Sequence, residues 1–121
     1  MVRDILRAEP LINRALAKGS GTHTYEDIAE DVLKGDSQLW MGKDSCMVTQ
    51  VVQFPQKRRL HIMIGAGKLQ EIKDMIENEL VPFAKANDCS DMTLIGRKGW
   101  KKELASTGWS EDSVSLYRGL K

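Results

Sequence analysis

The sequence predicts a single-domain α/β fold, a mixed β-sheet with helices on both faces, across residues 1–121. Three observations carry that expectation. Apolar residues recur every three or four positions within residues 10–35 and 68–86, and close to every second position between those segments. The breaks between the strand-like runs, "GKD" and "PQKR", are short enough for antiparallel hairpins. Finally, "HIMIGAGKLQEI", residues 61–72, runs an apolar stretch through Gly65-Ala66-Gly67 straight into a helical pattern.

The elements follow in order. "PLINRALAKG" reads as a helix with Pro10 in its first turn, Leu11, Ile12, Ala15 and Leu16 on one face, and Gly19 as its stop. Thr24 with Asp27 three residues on reads as a capping box for a second helix, whose stripe is Ile28, Val32 and Leu33 and whose stop is Gly35. "SQLWM" and "SCMVTQVVQF" then read as strands, the second with Cys46, Val48, Val52 and Phe54 on one face and Met47, Thr49 and Val51 on the other. "RLHIMI" is a third strand, and strands apolar on both faces belong to a sheet covered on both sides. Residues 68–86 form a helix through Leu69, Ile72, Ile76, Leu80 and Phe83. "MTLI" is a strand, "WKKELAST" a short helix stopped by Gly108, and "VSLYRGL" a last strand.

The bulk composition narrows the function classes. With 41% hydrophobic and 29% charged residues, the chain has the balance of a folded globular domain rather than a disordered one. A net charge of +1 gives no global pull toward nucleic acid or anionic lipid. No apolar run approaches a membrane span, and the opening "MVRDILRAEP", with Asp4, does not read as a signal peptide. Cys46 and Cys89 fit no metal spacing and read as buried free thiols, so no metal is expected. A cytoplasmic location follows.

The element order, with a Gly-x-Gly turn after the third strand and a Gly-aromatic pair closing the last helix, resembles the GNAT fold of N-acetyltransferases. The likeness runs over about residues 4–120 and is carried by "IMIGAGKLQEI" and "RKGWKKELASTGW". It also resembles the small phage-encoded GNAT-like proteins found beside virion genes. The resemblance implies acetyl-CoA in the splay between "RLHIMI" and "MTLI". Independently of any family, a helix N-terminus offers unpaired N–H groups, and glycine lets a phosphate approach them. Gly65, Ala66, Gly67 and Lys68 would donate those groups to a pyrophosphate. The competing reading is that the glycines only permit a tight strand-to-helix turn.

Two positions depart from the family pattern. Ile62 stands where members carry Gln or Arg three residues before the first glycine. Leu104 stands four residues before Gly108, where many carry a tyrosine that protonates the leaving thiolate. Ser106 is a nearby but weak substitute for that acid. For a base, the candidates are His61 on the third strand and His23 in "GSGTHT". Glu26, Asp27 and Glu30 read as one solvated helix face. In "GRKGWKK", Arg97 and Lys98, with Lys101 and Lys102 around Trp100, would hold a nucleotide 3′-phosphate or simply solvate a helix start; nucleic-acid binding is the weakest of the three readings. Trp40 and Trp109 read as core or interface anchors.

Together these residues point to a GNAT-like protein with a degenerate acyl-CoA site, a binding or structural (phage virion-associated) protein rather than an efficient enzyme. The alternative is an acetyl-CoA-dependent N-acetyltransferase acting on an amine. Expected partners are other phage structural proteins or further copies of the chain, with no membrane, and the location is cytoplasm or virion.

Overall fold

The structure, a computed structural model, describes residues 2–19, 21–96 and 98–121. The helix α1, Val2–Leu16, buries Ile5, Ala8 and Ile12, which three- and four-residue steps bring onto one face. Pro10 therefore lies inside this helix and not in its first turn, because the apolar stripe begins as early as Ile5. Pro10 has no N–H for the Leu6 carbonyl four residues back. Next to that break, the Ile5 carbonyl accepts the Tyr25 hydroxyl at 2.8 Å, tying α1 to α2. The helix α2, Tyr25–Lys34, begins at the expected capping box: the Asp27 N–H donates to Thr24 Oγ1 and the Thr24 N–H to the Asp27 carboxylate. Gly35, at φ 89°, ends it.

Four strands make one sheet in the order β1 (Gln38–Met41), β2 (Cys46–Gln53), β3 (Arg58–Ala66), β4 (Asp91–Leu94). The pairs β1–β2 and β2–β3 are antiparallel, and β3–β4 is parallel. The crossover between β3 and β4 is the helix α3 (Leu69–Met75), a π-helical turn (Ile76–Leu80) and α4 (Val81–Ala86). The wide turn has a local cause. Pro82 in the first turn of α4 lacks an N–H, and the Val81 N–H reaches back five residues to Ile76. α5, Lys98–Leu104, runs into a 3₁₀ turn, Ala105–Thr107, which Gly108 closes at φ 92°.

Helices cover both faces, as a sheet apolar on both sides requires. Ile5, Ala8, Ile12, Ile28 and Val32 pack with Cys46, Val48 and Ile64 on one face. On the other, Ile72, Ile76 and Leu80 pack with Met47, Leu60 and Ile62. β3 serves both cores because it carries a bulge: the register passes from Thr49↔Ile62 to Val48↔Ile64, so Met63 is an extra residue. Leu60 and Ile62 face the α3 side, whereas Met63 and Ile64 pack on the α1–α2 side.

One expected element is not there. "VSLYRGL" is no strand; residues 108–121 carry no regular structure, and Leu116, Tyr117 and Leu120 are 80–91% exposed. A strand forms only by pairing, and this segment's first half is used otherwise. It bends back over the sheet, where Glu111 meets Lys101 at 2.9 Å.

Candidate functional site

The Gly65–Lys68 turn is built for contact with its own chain. Gly67 sits at φ 117°, and a Cβ there would overlap the Asp44 carbonyl oxygen and the Ser45 backbone. The Lys68 N–H donates to Ser45 Oγ at 2.9 Å, and Lys68 Nζ pairs with Asp44 at 3.1 Å. Glu71, in the first turn of α3, accepts the Lys43 and Asp44 N–H groups at 3.0 and 2.9 Å. The Ser45 hydroxyl, with the Asp44 and Lys43 amides, holds the Glu71 carboxyl below its ordinary value, so it stays anionic. The turn thus binds the β1–β2 hairpin and spends the Lys68 amide, with Asp44 and Glu71 engaged in the same contact. Nothing in the local sequence signals this. Ser45 and Glu71 lie 23 and 27 or more residues from the groups they meet.

A cavity of about 560 Å³ opens at the turn itself, lined by Arg7, Arg14, Asp44, Gly67 and Lys68. A second, of about 800 Å³, opens along β3 and β4 at the end of the sheet that α1 and α2 leave uncovered. Its walls include His61, Thr93, Trp100 and Leu104, and residues 109–115 close it in place of a helix. His61 alternates with the buried Leu60 and Ile62, so it faces away from the α3 core. His61 Nδ1 and Thr93 Oγ1 lie 2.8 Å apart across the parallel pair. Burial, then the Arg59 charge, lowers the His61 pKa, which leaves the imidazole neutral near pH 7. Arg59 itself is anchored by Asp91 at 2.9 Å and stacks over Phe54 at 5.3 Å.

Leu104 is buried against the same cavity as His61, so the position where the family's tyrosine would stand lines this chamber with a methyl-bearing chain. Ser106 is exposed on the 3₁₀ turn and does not line it. His23 sits far off in sequence in the α1–α2 loop, where its Nδ1 meets Thr22 Oγ1. Arg97 lies outside the described residues, and Lys98 enters only as the first residue of α5. Lys101 is held by Glu111. Cys46 is buried in the α1–α2 core, where burial pushes its thiol up to about 11, and Cys89 is half-buried; both are free.

Trp100 is the residue the sequence hid. β3 and β4 pair through Ile62↔Leu94 and then part. Beyond that point the indole stands over both chain ends. A Cβ on Gly65 would lie 2.8 Å from Trp100 Cη2, and one on Gly96 3.0 Å from Trp100 Cε3. Gly65 is therefore a seat for the ring, a role indistinguishable in sequence from a phosphate turn. Trp40, by contrast, is a core anchor as expected: its Nε1 donates to Thr49 Oγ1 at 3.0 Å and its ring meets Phe83 edge-on at 5.2 Å.

No family model and no curated protein matches the chain by sequence. Solved structures do match by fold. A Trypanosoma brucei acetyltransferase superposes with a TM-score of 0.72 at 10% identity, covering 99% of this chain and 95% of its own. A predicted acetyltransferase with acetyl-CoA from Clostridium acetobutylicum gives 0.72 at 14%, over 99% and 92%. A ribosomal-protein-alanine N-acetyltransferase from Brucella melitensis gives 0.68 at 13%, over 98% and 95%. At such identities the likeness speaks for architecture alone, and the architecture is plain: this chain has the fold of the GNAT acetyltransferases.

Proposed function

We propose that this chain is a binding protein on a GNAT frame, with an acyl-CoA site too degenerate for efficient transfer. The observation that carries the reading is the turn. Its Lys68 amide is bonded to Ser45, its Lys68 ammonium is paired with Asp44, and Glu71 is taken up by the Lys43 and Asp44 amides. Leu104 adds to this, since an aliphatic side chain supplies no proton to a departing thiolate. Acetyl-CoA is the ligand to test, because a neighbour of the same fold carries it. Among the described residues no group of three His, Cys, Asp or Glu side chains converges.

Calorimetry and thioester-consumption assays with a panel of amines test it together. The expected result is weak or absent acetyl-CoA binding and turnover at background. Tight binding with brisk turnover on any amine would reject it.

A specific observation favours a second reading, an N-acetyltransferase acting on an amine. His61, kept neutral, faces a chamber of about 800 Å³ and could take the proton of an incoming ammonium. The amine nitrogen would then attack the thioester carbonyl, the C–S bond would break, and water would protonate the CoA thiolate in place of the missing tyrosine. A positioned acid contributes about 10²–10⁴-fold, so such an enzyme would be slow by that factor.

The structural role extends the first reading to partners. Val114, Leu116, Tyr117 and Leu120 present exposed apolar side chains at 70–91%, which supports a protein contact. The contact we assign is to other phage structural proteins or a further copy, with a place in the virion. Mass spectrometry of purified particles tests it: the chain at stoichiometric level supports the role, and its absence from washed particles rejects it.

A further inference from the structure

We propose that the Trp100 indole is a gate on the wedge between β3 and β4, closed in this structure, and that its position controls whether a thioester arm reaches the His61 chamber. The inference rests on reading the wedge as the remnant of an acyl-CoA site.

The geometry is direct. The strands pair at Ile62↔Leu94 and diverge; Gly65 lies three residues past that pair on β3, and Gly96 two residues past it beyond β4. One indole contacts both, close enough that a methyl group on either glycine would collide with it. The same ring forms part of the wall of the His61 chamber. It therefore stands between the Gly65–Lys68 turn and the chamber, and an extended arm running from one to the other must pass through it.

The ring packs against the α3-side core but is held there by contact alone. It is half-buried, it sits in the first turn of a seven-residue helix, and no hydrogen bond to its Nε1 is formed among the described residues. Gly96 and Gly99 precede it, and the space beside Gly99 is open, since a Cβ there would meet nothing within 4 Å. Trp40, equally half-buried, is by contrast pinned through Nε1 to Thr49. A site occupied by its own side chain binds with the intrinsic dissociation constant divided by the open fraction, and so more weakly. Removing the ring should recover that factor.

The probe is S-acetyl-pantetheine, the thioester arm without its nucleotide, so that the phosphate end plays no part. Calorimetry compares wild type, Trp100→Ala and Trp100→Phe, with circular dichroism confirming the fold of each. The gate predicts affinity rising in the order Trp, Phe, Ala, by about tenfold or more overall. Should Trp100→Ala fail to fold, the wild-type indole N–H resonance decides, assigned with Trp40→Phe and Trp109→Phe: the gate requires the Trp100 signal to shift and saturate with the probe. Equal affinities in the three proteins, or a bound probe with that resonance unmoved, would overturn the gate and leave the degenerate-site reading intact. No binding by any folded variant would overturn the gate and the acyl-site reading together. Tight wild-type binding of acetyl-CoA with the Lys68 amide shifting would reject the degenerate reading, whatever the ring does.

Discussion

The strand β3 ends in a turn bonded to its own chain and runs beside a wider, more open chamber. At Gly67–Lys68 the main chain lies against Ser45, the amide is bonded, the ammonium is paired and Glu71 fixes the hairpin opposite. Alongside His61, about 800 Å³ is bordered by α5 and by residues 109–115, which the Lys101–Glu111 pair tethers. The glycine turn is bonded to its own chain, while the larger open volume is lined by Trp100, Leu104 and Trp109 of the second segment, "RKGWKKELASTGW". Glycine is ambiguous for a physical reason: it is required wherever backbone approaches something closely, and a neighbouring strand or ring serves as well as a phosphate.

If the turn is structural, damage there should exceed damage in the chamber. Gly67→Val carries the largest effect, combining a positive φ with overlap on the Asp44–Ser45 backbone; the expected loss is roughly 3–5 kcal/mol, seen by urea unfolding. That overlap also means the substitution cannot serve as a clean test of phosphate binding. Ser45→Ala comes next. It leaves the partly exposed Lys68 N–H without its acceptor and should cost about 1 kcal/mol, with faster hydrogen exchange at Lys68. Unchanged exchange there would mean the Ser45 contact does not hold the turn.

On the chamber side the effects are smaller and depend on pH. Bonds from Arg59 and Lys57 bring the Asp91 carboxyl to about 2 from its ordinary 3.8. A depressed carboxyl pKa contributes stability that is complete above 3.8 and is lost as pH falls through about 2. Solvent screening of these partly exposed groups reduces it to about 1 kcal/mol. Asp91→Asn should remove that part of the acid limb in a pH series of melts. His61 acts in the same direction at higher pH. Its folded pKa is lowered, so the unfolded chain takes the proton first and stability declines as pH drops below 6.5. A His61 ring titration by NMR should show its midpoint below that value; a midpoint above it would mean the ring is not desolvated as described. Smallest of all, Ser106→Ala at an exposed turn should change stability by less than about 0.5 kcal/mol and leave any turnover unaltered.

The fold was legible because most of its signals are local or periodic. Thr24 and Asp27 cap within three residues, and the alternation of β2 and β3 names both cores. The sequence misleads where a distant partner decides. Pro10 looks like a helix start, yet Ile5 draws the preceding turn into α1 through the core. "VSLYRGL" has the alternation of a strand, yet alternation cannot supply the neighbour that a strand needs. The π-helical turn before Pro82 and the bulge at Met63 leave no trace in an apolar pattern. At the site, His61 could be singled out by type and placement, whereas Trp100, Ser45 and Glu71 acquire their roles only when β1–β2, β3 and α5 come together.

The central claim is that the Gly65–Lys68 turn is committed to the β1–β2 hairpin and does not hold phosphates. It is tested most directly by titrating ¹⁵N-labelled wild-type protein with acetyl-CoA into the millimolar range and following the amides of Gly65, Gly67 and Lys68. The account predicts that these resonances stay in place and that Lys68 keeps its slow exchange. Saturable shifts at Gly67 and Lys68, with the Lys68 amide released from Ser45, would contradict it.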